Sequence, residues 1–377
     1  MESAGQSLEQ ARHTLLQLPI GSGLETDVSD SARRAIAGMQ AALDEFVAAY
    51  MGCLDTSDAP DTAQIQTDLS RLGHAFSLES GRTYTEEELP PDFGKYGFEL
   101  SFEVRAAAGP APRLGITADF SIECGSDAVL WVFEPGNDGW REVLRWQSNP
   151  YKDVSGAFGS FGYSISPPDS SGQWYVVTKN VAPWCSSTWS AIRYAVLRPV
   201  SGTPIPRVLF SGVDSIWWGN EDFGTVQANQ EDFEVRFHAW SIDAGVLNRE
   251  YIRRYSIHGD RIRRIAPIAV SPRDFVDEWI SLPWPEAEQW TARESAARLQ
   301  LFHQNLHEIA SNSGFQFESA HLCSGARKLY QIEISPDDKD SFYFLVSNDG
   351  PLTMKAASTT PRSGCSGKDL LQSMETK

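Results

Sequence analysis

Basic residues are scarce in this sequence. Lysine and arginine together number 32 against 50 aspartates and glutamates, so the 377-residue chain has a formal net charge of −18. A surface this acidic repels phosphate groups, which argues against general binding to nucleic acid and against docking on an anionic membrane. The chain also lacks any apolar run near the roughly 18 residues that a membrane-spanning helix needs.

Common catalytic motifs are missing as well. There is no G-x-S-x-G, no G-x-G-x-x-G and no H-E-x-x-H, so we expect no cofactor and no metal site. His303 and His307 have the four-residue spacing that can hold a metal on a helix. No third ligand is evident beside them, and we interpret both as histidines at the edge of an apolar helix face.

Cysteine is rare, and no two cysteines form a C-x-x-C pair, so zinc-ribbon and thioredoxin-like motifs are excluded. We predict a disulfide between Cys323 and Cys365 that pins the C-terminal tail, and a disulfide indicates an oxidising compartment. The alternative is a cytosolic protein with five free thiols. The N-terminus shows no signal peptide, and we expect a periplasmic or secreted protein whose signal peptide is absent from this chain.

Aromatic residues, in contrast, are plentiful. The chain holds 19 Phe, 12 Trp and 11 Tyr and is 41% hydrophobic, which excludes a wholly disordered chain. All twelve tryptophans lie between Trp131 and Trp290. This shift in composition predicts an N-terminal helical and loop segment over 1–95, a Trp-rich β domain over 96–285, and a C-terminal helix plus small β unit with a flexible tail over 286–377.

The spacing of apolar residues predicts the elements. Residues 32–51 follow a helical pattern, with Ser29 or Asp30 as the N-cap and Gly52 as the stop. From about residue 98 the period becomes two, and short strands alternate with Gly- and Pro-rich turns as far as residue 265. We predict a mainly β fold with flanking helices, in which an antiparallel β-sandwich or propeller-like meander forms the core. A short helix over 271–280, with Ser271 as its cap, and a longer one over 286–312 follow.

One candidate site is the segment that begins Trp217-Trp218-Gly-Asn220-Glu221-Asp222. Indole faces beside amide and carboxylate groups are typical of a carbohydrate or ligand subsite. A pair of acids can also hydrolyse a glycosidic bond, which makes Glu221 and Asp222 the candidate catalytic residues. The alternative is that these tryptophans only fill or cover a β core.

A second candidate is an arginine-rich hairpin over residues 249–264. A turn at Gly259-Asp260 would place Arg253, Tyr255 and Arg264 on one face. Guanidinium groups beside aromatic rings suit a small anionic ligand. The alternative is that these arginines pair with the protein's own acids. We interpret Asp274 as part of a helix cap, and Asp277 and Glu278 as solvent-facing residues of the same helix.

These observations favour an exported acidic binding or interaction protein that uses aromatic loops on a β scaffold. Its partner would be a glycan, a small anionic ligand or another protein. Two alternatives stay open: a glycan-acting hydrolase, and a cytosolic acidic inhibitor of a basic partner. The sequence leaves the oligomeric state undetermined.

Overall fold

The structure is a computed structural model, and it describes most of the chain. The described residues are 1–377 without 20–27, 57–59, 79–87, 91, 108, 110–111, 123–124, 138, 149–159, 182–188, 218–223, 247, 266–268, 326–327, 338–339 and 375–377. Within the described residues, 28% of the chain is helical and 44% is strand, which confirms the predicted mainly β fold with flanking helices.

The helices lie at both ends of the chain and between the third and fourth sheets. They are α1 (Glu2–Leu16), α2 (Asp30–Met51), α3 (Thr62–Leu72), α4 (Pro272–Ser281), α5 (Trp284–Ala287), α6 (Ala296–Asn312) and α7 (Leu371–Met374). A single 3₁₀ turn, Glu288–Trp290, follows α5. No helix among the described residues has both the length and the apolar character needed to cross a membrane.

Among the described residues, the strands form four sheets, each with four strands that follow one another along the chain. The first sheet holds β1 (Leu100–Ala107), β2 (Arg113–Ile122), β3 (Gly125–Gly136) and β4 (Gly139–Gln147). The second holds β5 (Ser160–Ile165), β6 (Val176–Val181), β7 (Trp189–Val200) and β8 (Thr203–Trp217). The third holds β9 (Thr225–Ala228), β10 (Asp232–Trp240), β11 (Asn248–His258) and β12 (Arg261–Arg264). The fourth holds β13 (Gln316–Leu322), β14 (Leu329–Asp337), β15 (Asp340–Ser347) and β16 (Thr353–Ser358).

The chain divides into two compact units. Unit 1 comprises 1–214 and 226–231, and unit 2 comprises 215–225 and 232–377. The three segments predicted from the composition, 1–95, 96–285 and 286–377, stay predictions.

Unit 1 packs its N-terminal helices on the first sheet. Helix α2 starts where predicted: the Ser29 side chain accepts a hydrogen bond from the backbone N–H of Ala32 at 3.2 Å. Its apolar residues recur at helical spacing and are buried, together with inward-facing residues of β1 to β3. On the opposite side, the ring of Tyr163 from β5 lies against Gly115 of β2, where a Cβ atom would overlap it. Glycine at residue 115 therefore lets the second sheet approach the first.

Helices α1 and α3 were not expected from the sequence. Each has only two buried apolar residues, Leu8 and Leu15 in α1 and Ile65 and Leu69 in α3, so the periodic signal is weak. Arg12 of α1 supplies a polar attachment instead. Its guanidinium donates hydrogen bonds to the carbonyls of Gly97 at 2.7 Å, His74 at 2.6 Å and Phe98 at 2.6 Å.

In unit 2, the prediction of one continuous helix over 286–312 is wrong. The chain is not helical through this range: α5 and the 3₁₀ turn end at Trp290, and α6 starts only at Ala296. The break occurs because Thr291 forms a parallel bridge to Met354 of β16, and the Ala292 N–H donates to the Met354 carbonyl at 2.9 Å. A competing backbone pairing therefore interrupts a segment whose local pattern favours a helix.

The C-terminal tail is attached to the fourth sheet. The predicted disulfide between Cys323 and Cys365 is confirmed, and both cysteines are buried. Farther along the tail, the Leu370 N–H donates to the Ala320 carbonyl at 2.8 Å, and the Asp369 carboxylate accepts from the Ala320 N–H at 2.9 Å. The sequence predicted a flexible tail pinned by this disulfide, and these further contacts attach the tail to β13 just before α7.

We expect removal of this disulfide to destabilise unit 2. The bond spans a sequence separation of 42 residues, for which restriction of the unfolded chain contributes about 4 kcal/mol. In urea unfolding, the free energy of unfolding of the double variant Cys323→Ser/Cys365→Ser should be lower by about this amount. Peptide mapping of the unreduced parent should recover Cys323 linked to Cys365. The exposed Cys53→Ser variant is the control. Equal stability of both variants would contradict the expectation.

Asp119 should make the stability of unit 1 depend on pH. Burial raises the pKa of Asp119 to about 7; a hydrogen bond from Ser126 at 3.1 Å opposes the rise and the charge of Asp127 adds to it. A carboxyl group with a raised folded-state pKa stabilises the fold fully below its unfolded pKa of about 4, and this contribution disappears as the pH rises through 7.

The test compares urea unfolding of the parent with Asp119→Asn from acid to mildly alkaline pH. We expect the free energy of unfolding of the parent to fall, relative to the variant, by on the order of 3 kcal/mol between pH 4 and pH 8. Glu45→Gln, at an exposed position of α2, should show no such difference. Parallel pH profiles for the parent and Asp119→Asn would refute the assignment.

Candidate functional site

The predicted aromatic loop falls largely outside the described residues. Trp218, Asn220, Glu221 and Asp222 lie in 218–223, which the structure does not describe. Trp217 is the last residue of β8, and nothing is described of its side chain. The ligand-binding role of Trp217, Trp218 and Asn220 and the catalytic role of Glu221 and Asp222 therefore stay predictions.

The arginine-rich hairpin exists, and it brings its three predicted residues together. Strands β11 and β12 pair in antiparallel fashion, with Tyr255 directly opposite Arg264. Arg253 and Tyr255 are buried, and the Arg264 side chain is only 9% exposed. The hairpin thus presents its guanidinium groups toward the interior of unit 2.

These guanidinium groups contact carboxylates of the same chain. Glu278 of α4 accepts from Arg253 at 2.8 Å and from Arg264 at 3.1 Å, through the same oxygen. Nearby, Arg249 contacts Asp277 at 3.1 Å, and its guanidinium lies 3.6 Å from the ring centroid of Tyr251. These contacts agree with the second interpretation given above, in which the arginines pair with the protein's own acids. Whether Arg253, Tyr255 and Arg264 also bind a ligand stays a prediction.

The expected orientation of the α4 acids is wrong. Asp277 and Glu278 are 0% and 2% exposed rather than solvent-facing, and Asp274 is buried too. The helix has buried residues on every side. Asp277 and Glu278 are matched by Arg249 and Arg253, which lie on β11, 28 and 25 residues earlier in the chain, and Asp274 is matched by its neighbour Arg273. Local sequence does not show such a partner, so an acidic cluster resembles a surface.

The buried acids of α4 differ in their surroundings. Burial raises the pKa of Glu278 to about 7, while the charges of Arg253, Arg249 and Arg264 oppose that rise. Asp277 accepts hydrogen bonds from the Ser241 hydroxyl and, at 3.3 Å, from the Tyr251 hydroxyl. These contacts fix α4 against β11 and β12, and they use Nη donors of the arginines internally. Among the described residues, the buried Nε atoms of Arg249 and Arg264 have no hydrogen-bond partner.

His303 and His307 also form hydrogen bonds to α4. His303 Nε2 lies 2.9 Å from the Trp279 carbonyl, and His307 Nδ1 lies 2.7 Å from the Ile280 carbonyl. These are carbonyls of the last helical turn, which have no partner inside a helix. Among the described residues, no group of three or more His, Cys, Asp or Glu side chains is placed to hold a metal ion.

Strand β8 carries the most exposed large apolar side chains of any described strand. This strand is the longest described one, with 15 residues, and it is the last in the order of the second sheet. Ile205 is 73% exposed, Val208 58% and Val213 64%. We call the exposed length of this strand, with these three residues, the β8 surface.

The pairing of β7 with β8 fixes which side chains share a face. Gly212 lies under the ring of Tyr194, where a Cβ atom would overlap the ring, and the Tyr194 hydroxyl donates to Asp214 at 2.8 Å. Successive side chains of a strand point to opposite faces. Val213 therefore lies on the face opposite Tyr194, and Arg193, the neighbour of Tyr194, lies on the same face as Val213.

Strand β8 is longer than the short strands that the sequence predicts for this region. Pro204, Pro206 and Gly212 lie within it, although residues of these types are typical of turns. Proline is tolerated in an edge strand, where its nitrogen needs no partner, and Gly212 makes room for Tyr194. The β-branched residues at 205, 208 and 213 are the signal that could have extended the prediction.

The two ion pairs of Arg264 allow the effect of burial on stability to be measured at a constant distance. It contacts Glu278 and Glu286 at the same distance, 3.1 Å, although the Glu278 side chain is 3% exposed and that of Glu286 is 47% exposed. We expect Glu278→Gln to lower the free energy of unfolding by about 3–5 kcal/mol, because it leaves buried arginines without their counter-charge. Glu286→Gln should cost less than about 1 kcal/mol. Urea unfolding of both variants measures this, and equal losses would contradict it.

Comparison with models of known protein families and with curated proteins gives no match.

Proposed function

We propose that this chain is an exported, non-catalytic binding protein that takes up an extended segment of a partner polypeptide along β8. The observation that carries the proposal is the β8 surface: a long strand at the end of its sheet that exposes Ile205, Val208 and Val213. Among the described residues, β7 is the only strand of the sheet beside β8. A partner strand would add to the opposite edge.

The physical basis is that an edge strand offers a row of backbone donors and acceptors. Natural proteins usually protect such an edge with charges, prolines or bulges. In β8 the prolines, Pro204 and Pro206, stand only near the start. The rest of the strand, 207–217, has an N–H at every residue and exposes Val208 and Val213. Addition of an extended peptide to an exposed sheet edge is an established mode of recognition, in which main-chain bonds give affinity and alternate side chains give specificity.

Two further features support the proposal. The disulfide between Cys323 and Cys365 is typical of proteins in an oxidising compartment. From Trp217 the chain continues directly into the segment of Trp218 and Asn220, whose aromatic and amide groups suit contacts to a bound segment.

The test is selection of random linear peptides on the full chain, followed by affinity measurement of the selected peptides. We expect peptides that bind the parent and slow amide hydrogen exchange in β8. The variant Val208→Asp/Val213→Asp should weaken binding by about tenfold or more, since it buries a carboxylate against an apolar strand. Because both residues are exposed, this variant should keep the unfolding midpoint of the parent.

The matched control is Leu301→Asp, which places the same charge at a 75% exposed apolar residue on α6. It should leave peptide binding unchanged. Failure to select any peptide, or selection of peptides whose affinity is the same for Val208→Asp/Val213→Asp, would overturn the proposal.

A further inference from the structure

Two imidazoles of α6 contact the end of α4 as neutral groups. The rings of His303 and His307 stack one helical turn apart, with centroids 5.7 Å apart and an angle of 13° between their planes. His303 Nε2 and His307 Nδ1 each lie within hydrogen-bond distance of a carbonyl of α4. A carbonyl only accepts hydrogen bonds, so these two nitrogens carry the protons. In each neutral ring the other nitrogen therefore carries none.

The second nitrogen of His303 is enclosed. His303 is 1% exposed, and among the described residues its Nδ1 atom has no hydrogen-bond partner. The indoles of Trp279 and Trp284 lie against the imidazole, with ring centroids 4.8 and 5.3 Å from its own. A proton added to Nδ1 would therefore place a positive charge out of contact with water, on an N–H without an acceptor.

The surroundings of His303 disfavour that charge. Burial is the largest effect and lowers the pKa of His303; the charge of His307 lowers it further, and the carbonyls of Trp279 and Leu282 oppose the change. The neutral ring therefore stabilises the closed arrangement, in which α4 is bonded to α6, fully above the ordinary histidine pKa of about 6.5. This contribution is lost as the pH falls below that value.

His307 is the charged group that acts on the pKa of His303. Helix α6 packs against α4, α5 and β16. The other charged residues of these four elements are Arg273, Asp274, Asp277 and Glu278 on α4, Glu286 on α5, Arg298 and Glu308 on α6, and Lys355 on β16.

From this geometry we propose that His303 and His307 form an acid-sensitive switch, which holds α4 against α6 at neutral pH and releases the end of α4 in mildly acidic solution. The inference does not rest on the proposed function. Two protonated imidazoles also repel each other across the stacked pair, which adds to the release. Because Glu278 of α4 pairs with Arg253 and Arg264, release of α4 also loosens these ion pairs and brings guanidinium groups toward solvent.

Glu278 responds to pH in the opposite direction. Its pKa is raised to about 7, so it stabilises the closed arrangement at low pH, and this contribution is lost as the pH rises through 7. A comparison of variants at each pH separates the two effects, which the profile of the parent alone would combine.

The experiment measures amide hydrogen exchange in residues 272–281 at about pH 5 and about pH 7.5, corrected for the intrinsic effect of pH on exchange. We expect acid to speed exchange in the parent by about fivefold or more relative to His303→Gln, the effect of one buried donor without an acceptor. Glutamine keeps a donor for the Trp279 carbonyl but takes up no proton in this range. His307→Gln should reduce the acid response. His258→Gln, at an exposed residue of the same unit, is the matched control and should respond as the parent does.

The same acid response of α4 in the parent and in His303→Gln would overturn the inference. If His303→Gln does not fold, NMR titration of the imidazoles in the parent decides. Protonation of His303 below about pH 6.5, together with faster exchange in α4, would support the switch. Protonation of His303 without faster exchange, or no protonation by about pH 5, would overturn it.

Discussion

A four-stranded antiparallel sheet has to cover its apolar faces, and this constraint organises the described structure. In unit 1 the first sheet meets it on both sides. Helices α1, α2 and α3 cover one side, and the ring of Tyr163 from the second sheet enters the space left by Gly115 on the other. The fourth sheet in unit 2 is covered by α4 and α6. The helices are therefore part of the core, although they make up a minority of the chain.

Unit 2 meets the same constraint with charged residues. Helix α4 is buried with three acids on it. Guanidinium groups from β11 and β12 pair with Asp277 and Glu278, and Arg273 of α4 itself pairs with Asp274. Removing ion pairs from water is costly, and the energy is recovered only when geometry and partners are well matched. Such a cluster adds little net stability compared with apolar packing, but it permits few alternative positions of α4, since any displacement leaves a buried charge without its partner. We attribute the placement of α4 to this selectivity.

Most of the fold could be predicted because its signals are local. Helix α2 has apolar residues at every turn, α4 has its Ser271 cap, with the serine accepting from the Asp274 N–H at 3.1 Å, and β1 alternates between buried and exposed residues. Signals that depend on a distant partner were missed. The break before α6 comes from pairing with Met354, the burial of Glu278 depends on Arg253, and the full length of β8 depends on the fit of Gly212 to Tyr194. The hairpin brings Arg253 and Arg264 together as predicted, but the sequence pattern did not identify Glu278 as their common partner.

The end of α4 links two helices into one cooperative element. Four successive carbonyls near this end are occupied: the Ser281 hydroxyl donates to that of Asp277 and the Leu282 N–H to that of Glu278, and the imidazoles of His303 and His307 bond to those of Trp279 and Ile280. Two of these four partners belong to α6. The last turn of α4 therefore cannot fray as the end of an isolated helix does, since its opening also detaches two side chains of a neighbouring helix. Amide exchange in α4 and α6 should then report one shared opening event rather than two independent ones.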